Sequence, residues 1–367
     1  MDRPKRMANY ELLRIVTMFM VVCLHYQARA GVLTAAGVPA GYVQIVGNLI
    51  ESFCIICVNL YVLISGYFLS SSEFRVSRIL KLLCEILFYA LLIPAVLKAM
   101  GIQVTGGENI WRTWFYIFPV SMEQYWFISA YVFMVLLSPF FNEGIRWLTR
   151  KQLKALILVL LFFTCILPSI SPVQLTDDHA GYNAMWFFMV YLVAGYMRKY
   201  GLPRLGSPRR ALACWLGSTF LMWGWSLILH RITLSGALLY YSGVPFHLNS
   251  FFCLTGAMGL FACFGFIRIP EGGAAKLIRS TAPLTLGVYL IHENIDIRDR
   301  WVTTLCKLYG PIPQNGMVFL HMFACVATIY ILSLFIDLIR TLLFDWIGIR
   351  LSGTRLAALL QKADQKE

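Results

Sequence analysis

Arg14 and His25 stand eleven residues apart in the first apolar segment, ELLRIVTMFMVVCLHYQ. At about 100° per residue, eleven steps bring the imidazole back to within roughly 20° of the guanidinium, on the same helical face. The two α-carbons are then about 16 Å apart along the axis. Ionisable groups in an apolar helix cost on the order of 2.5–3.5 kcal/mol or more at a bilayer centre; they line a pathway or make interhelical hydrogen bonds. The chemistry alone leaves both readings open. A neutral imidazole can take the proton of a hydroxyl as it attacks a carbonyl, and a guanidinium can hold an anion or stabilise developing negative charge. Glu11, three residues before Arg14, can pair with it on the same face and lower its cost.

Other residues extend this pattern. All six histidines, His25, His179, His230, His247, His292 and His321, fall in the outer half of the topology derived below, so acid–base work is expected there. None has the H-x-x-x-H or H-E-x-x-H spacing, and no metal is expected. Arg75 and Arg78 stand three apart at an expected helix start. Two guanidiniums on one face near a helix N-terminus make a phosphate clamp, but basic residues beside a span are also ordinary topology signals. External acids are few, among them Glu51, Glu123 and Glu293. Glu123 precedes Tyr125-Trp126-Phe127, which reads either as an interface belt or as part of a site. No G-x-x-x-x-G-K-[ST] and no G-x-S-x-G occurs, which excludes an ATP-driven pump subunit and an α/β-hydrolase.

These residues need elements to hold them. The chain is 59% hydrophobic and 13% charged, with mean hydropathy +0.69, against about 25% charge in soluble proteins. It reads as an all-α polytopic membrane protein with ten spans: 8–28, 44–69, 79–99, 124–141, 152–169, 183–200, 211–229, 246–267, 279–293 and 317–344. With the N-terminus in the cytoplasm, cytoplasmic segments carry 23 Lys/Arg, Arg340 among them, and external segments seven. That split places both termini inside. The net charge of +13 is then mostly topology and affinity for anionic lipid or a polyanionic ligand, and calls for no nucleic acid. No cleavable signal peptide is evident. The ten cysteines fall mostly in apolar runs, so no disulfide framework is expected, and Cys54-x-x-Cys57 reads as packing. One transmembrane domain is expected over 1–350, with a cytoplasmic C-terminal tail over 351–367.

Four ordered elements make the chain resemble the acyltransferase-3 family of integral-membrane acyltransferases, from Asn9 to about Trp346. They are Arg14-x10-His25; Leu63-Ile-Ser-Gly66-Tyr-Phe-Leu with Arg75-x-x-Arg78; Trp126-Phe127-x-x-x-Tyr131 running to Leu137-Ser138-Pro139 and Asn142; and Gly287-Val-Tyr289-Leu-Ile-His292-Glu-Asn294. The resemblance implies transfer of an acyl group from cytoplasmic acyl-CoA, usually acetyl-CoA, to a hydroxyl of a cell-envelope or exported glycan at the outer face of a bacterial cytoplasmic membrane. It implies catalytic roles for Arg14 and His25, and assigns Arg75 and Arg78 to acyl-CoA. Glu11, Glu123, Trp126 and Tyr131 are then candidates for contacting the acceptor or supporting the site. So are Tyr289, His292 and Asn294. The chain departs from the pattern at Gln124, where many members have His, and contains no fused hydrolase-like domain, so product release occurs unaided or with a separate protein. Two other classes compete: a transporter or exporter, and a non-catalytic membrane module partnering a cell-wall enzyme. No broken-helix symmetry between the two halves favours the transporter.

Overall fold

Within a bilayer, backbone groups must be satisfied inside the segment that carries them, and long apolar runs answer this as helices. The computed structural model describes residues 6–33, 40–171, 175, 178–232 and 239–351, and among these no strand occurs. The main helices are α1 (Ala8–Ala30), α2 (Tyr42–Cys54), α3 (Cys57–Leu69), α4 (Val76–Ala99), α5 (Trp126–Trp147), α6 (Arg150–Leu161), α7 (Ala184–Tyr200), α8 (Pro208–Ile232), α9 (Phe251–Phe266), α10 (Gly273–Thr281), α11 (Thr285–His292), α12 (Trp301–Tyr309) and α13 (Val318–Leu351). The expected tail, from residue 352 onward, lies outside the described residues.

Eight stretches are long and apolar enough to cross a bilayer, and the protein is an all-α, multi-pass membrane protein. The two further spans expected from hydropathy differ for a physical reason. The run 183–200 forms α7, only 17 residues long. The run 279–293 is interrupted at Ala282–Leu284, where Pro283 falls in a 3-10 turn between α10 and α11. Proline lacks the N–H that would continue the helical ladder. The expected second span is also divided, with α2 ending at Cys54 and α3 beginning at Cys57.

α1 lies at the centre, packed against α2, α3, α9, α10, α11 and α13. Surrounded by protein, it can carry ionisable groups that lipid would reject. The outer helices present Leu91, Phe140, Leu158, Ile228 and Phe335 on the surface, the apolar belt expected to meet lipid. Pro139 leaves the Val135 carbonyl without its usual donor four residues on, and Ser138 Oγ donates to that carbonyl at 2.7 Å. Gly66 lets α3 approach α7: a β-carbon there would sit 2.9 Å from Ala194 Cβ.

One end of the bundle collects cations. Arg279 Nη1 donates to the Arg6 carbonyl at 3.4 Å, and Arg198 lies 4.9 Å from the centre of the Tyr67 ring. Asn9 Nδ2 closes the α9 terminus through the Phe264 carbonyl at 2.8 Å. Arg340, counted from sequence with the cytoplasmic flanks, is instead buried, because α13 continues unbroken past it. Its Nε donates to Asp337 Oδ1 at 2.6 Å and its Nη2 lies 3.1 Å from Glu85 Oε1. Tyr89 donates to the same Asp337 oxygen at 2.7 Å. Gly287 makes room for this group, since a β-carbon there would meet Asp337 Cγ at 2.2 Å. Removing one member of a buried ion cluster typically costs about 3–5 kcal/mol. Asp337→Ala is therefore expected to lower the unfolding midpoint in detergent sharply, and Asp337→Leu with Arg340→Met and Glu85→Leu, which leaves no charge of the cluster behind, to recover part of that loss.

Candidate active site

α1 positions the first two groups as its periodicity requires. Arg14 and His25 both line one cavity of about 530 Å³. The α1 residues on its wall run from Arg14 to Ala28, about 21 Å along the helix axis. Arg14 lies 3.9 Å from Glu11 and receives the Tyr61 hydroxyl on its backbone carbonyl at 3.0 Å. Arg6, Arg78 and Lys81 line the same cavity near its cationic end.

At the other end, α1 meets α11. His25 Nδ1 lies 2.8 Å from His292 Nε2, and His292 Nδ1 lies 2.6 Å from the Val288 carbonyl. A carbonyl can only accept, so Nδ1 of a neutral His292 carries the proton and its Nε2 holds a lone pair. That lone pair accepts from His25 Nδ1, which must carry its own proton. The free lone pair of neutral His25 is thereby placed on Nε2. Glu293 Oε1 lies 3.2 Å from His25 Nδ1 and 3.1 Å from Arg29 Nη2. Arg29 also donates to the His25 carbonyl at 2.9 Å. A proton taken at Nε2 would create an imidazolium whose Nδ1–H already faces His292 and a carboxylate. This is the logic of base, orienter and charge partner.

His25, His292 and Glu293 bring their ligand atoms within 4.8 Å of one another. Tetrahedral zinc with bonds of 2.0–2.1 Å needs about 3.3 Å between two nitrogens. The 2.8 Å separation of the two rings is that of a hydrogen bond, and Arg29 holds the carboxylate, so these side chains do not fit a metal as arranged.

The other sequence candidates divide. Trp126, Tyr131 and Tyr289 line the cavity. Asn294 does not: it is buried, donates to the Tyr125 hydroxyl at 2.9 Å and accepts from the Asp296 N–H. Glu123 is exposed, in a turn with φ 51°, and is not on the cavity wall. Arg75 is also off that wall and lies 3.7 Å from Glu73. Gln124 is buried away from the cavity, and neither of its amide atoms has a partner among the described residues. Sequence reasoning did not single out Glu51, Tyr61 or Tyr182 on the wall, nor the role of Arg29. Arg29 stands one helical turn after His25, a spacing that could have flagged it.

Among curated proteins and solved structures, nothing matches the chain. A family model described as an acyltransferase domain matches residues 7–338, nearly its whole length. The match takes in the central helix, the cavity wall apart from Arg6, and the His25–His292 pair, so the chain belongs to the acyltransferase-3 family and is a membrane acyltransferase.

Proposed function

We propose that the protein moves an acyl group, acetyl in the first instance, from cytoplasmic acyl-CoA to a hydroxyl of an extracytoplasmic cell-envelope or exported glycan. The observation that carries this reading is one cavity with Arg14, Arg78 and Lys81 toward one end and His25, oriented by His292, toward the other. The cationic end would take the phosphates of coenzyme A, and its pantetheine arm would run along α1. His25 Nε2 would remove the acceptor proton while the hydroxyl oxygen attacks the thioester carbonyl. A C–O bond forms, the C–S bond breaks, and the proton returns through the imidazolium to the leaving thiolate. Arg14 would hold the donor or stabilise the developing oxyanion. The acyl group crosses; the acceptor does not. The charge split of the loops supports cytoplasmic termini, a ten-span course in a bacterial plasma membrane and this sidedness.

The direct test is release of free thiol from acetyl-CoA by the purified protein, with label appearing on a glycan acceptor. Translocation of substrate without thiol release would overturn the reading in favour of a transporter. The donor end gives a sharper expectation. Arg78→Ala should raise the acetyl-CoA KM about ten- to hundredfold, the scale of a charge-assisted phosphate contact. Arg75→Ala should change it little, because that side chain sits with Glu73 off the cavity wall. The Arg78 effect should shrink for a donor lacking the 3′-phosphoadenosine portion. Equal effects of the two substitutions would show that cavity lining does not decide donor binding.

A further inference from the structure

Glu51 has no task in the reaction described above. It sits in the last turn of α2, beside the interruption at Ile55–Ile56, and lines the cavity shared with His25. It is buried, with only 8% of its surface exposed. Its Oε2 has no hydrogen-bond partner among the described residues. The neighbouring thiols of Cys54 and Cys57 are poor donors. A buried carboxyl oxygen left without a partner is costly to keep. Within membrane helices such groups mark sites.

Its surroundings define what would satisfy it. The Tyr182 phenol lines the same cavity as the Glu51 carboxyl. Tyr182 is 45% exposed, and its ring centre is 4.6 Å from that of Trp126. The group therefore combines a carboxyl, a hydroxyl and an indole face on one cavity wall. A carboxylate offers two oxygens and about four lone pairs in one plane, matched by two adjacent hydroxyls. An aromatic platform matches the C–H face of a pyranose, and pockets that combine apolar walls with a few polar groups fix a ligand's orientation.

We propose that Glu51, with Tyr182 and Trp126, forms the acceptor subsite, in which the carboxylate holds a vicinal pair of hydroxyls of a sugar and so presents a neighbouring hydroxyl to His25. The proposal rests on the acyltransfer reading above and names the acceptor chemistry of that same cavity. No bond is made or broken at Glu51; it binds and orients.

The test uses the full-length protein in detergent, with methyl β-D-glucopyranoside as the sugar probe and thiol release from acetyl-CoA as the readout. Wild type should show glucoside-stimulated release, and Glu51→Gln should need about ten- to hundredfold more glucoside for half-maximal stimulation. The acetyl-CoA KM should move far less. Glu51→Asp should recover part of the loss, and propan-1-ol, with a single hydroxyl, should not distinguish wild type from Glu51→Gln. Superimposable glucoside curves for wild type and Glu51→Gln would overturn the proposal. So would stimulation by ethanolamine but not glucoside, which would make the group an ammonium site. Absence of any thiol release from wild type would count against the acyltransfer reading instead. The subsite is then judged by glucoside-dependent tryptophan fluorescence, taken as the difference between wild type and Trp126→Phe. A response lost in Glu51→Gln supports it, and no response in wild type overturns it.

Discussion

His25→Gln should lower acyl transfer by about 10²–10⁴-fold, the usual cost of removing a general base, while the protein still folds and binds coenzyme A. The expectation follows from the tautomer forced on the ring. The Val288 carbonyl fixes His292, His292 fixes His25, and the lone pair is left on Nε2. Glutamine keeps a polar side chain of similar reach, but its amide nitrogen has no basic lone pair. Transfer by wild type should also fall as the medium is acidified, because an imidazolium cannot accept a second proton. The deciding measurement is transfer rate against pH at saturating donor for both proteins. A His25→Gln variant close to the wild-type rate would make the histidine structural and move the search for a base to other groups on the cavity wall.

The second large effect should come from a residue that does not line the cavity. His292→Phe keeps an aromatic ring between Tyr289 and Trp301, both of which His292 contacts edge-on. It removes the acceptor for His25 Nδ1–H. Loss of the orienting group in a catalytic triad costs about 10⁴-fold in kcat. A smaller loss, on the order of 10²–10³-fold, is expected here, because Glu293 still lies 3.2 Å from Nδ1. The acyl-CoA KM should barely change. His292→Gln, whose amide oxygen can accept the same hydrogen bond, should restore part of kcat. An undiminished kcat in His292→Phe would show that the pair serves packing alone.

Periodicity along one helix was enough to place Arg14 and His25 on a common wall, because a helical face is a local property. Which faces meet is not local. The bond between His25 and His292 joins positions 267 residues apart, and nothing in either segment specifies the other. Glu51 was visible only as one external acid among several; its value comes from a helix interruption that hydropathy reads straight through. Arg340 misled in the opposite sense. Near a chain end a cation normally marks a cytoplasmic flank, and only the continuation of α13 and the facing Glu85 bring it inside. Arg75 and Arg78 were equivalent in sequence. The first stands at the N-cap position of α4 and the second within its first turn; Arg75 sits by the Glu73 carboxylate off the cavity wall, while Arg78, whose Nη1 also reaches the Glu73 carbonyl at 3.5 Å, lines the cavity.

α1 is gripped by protein along its length, so the interval from Arg14 to His25 cannot stretch or shorten with the cargo. On the proposed reaction the central helix works as a measuring rod. A donor anchored by its phosphates at one mark delivers its thioester to the other only if its arm has the matching length. The helix thus grades donors by the distance from handle to warhead and leaves the choice of acyl group to whatever room surrounds the far mark. A donor with a bulkier acyl group then meets the same rod and is accepted or refused by the walls around its outer end.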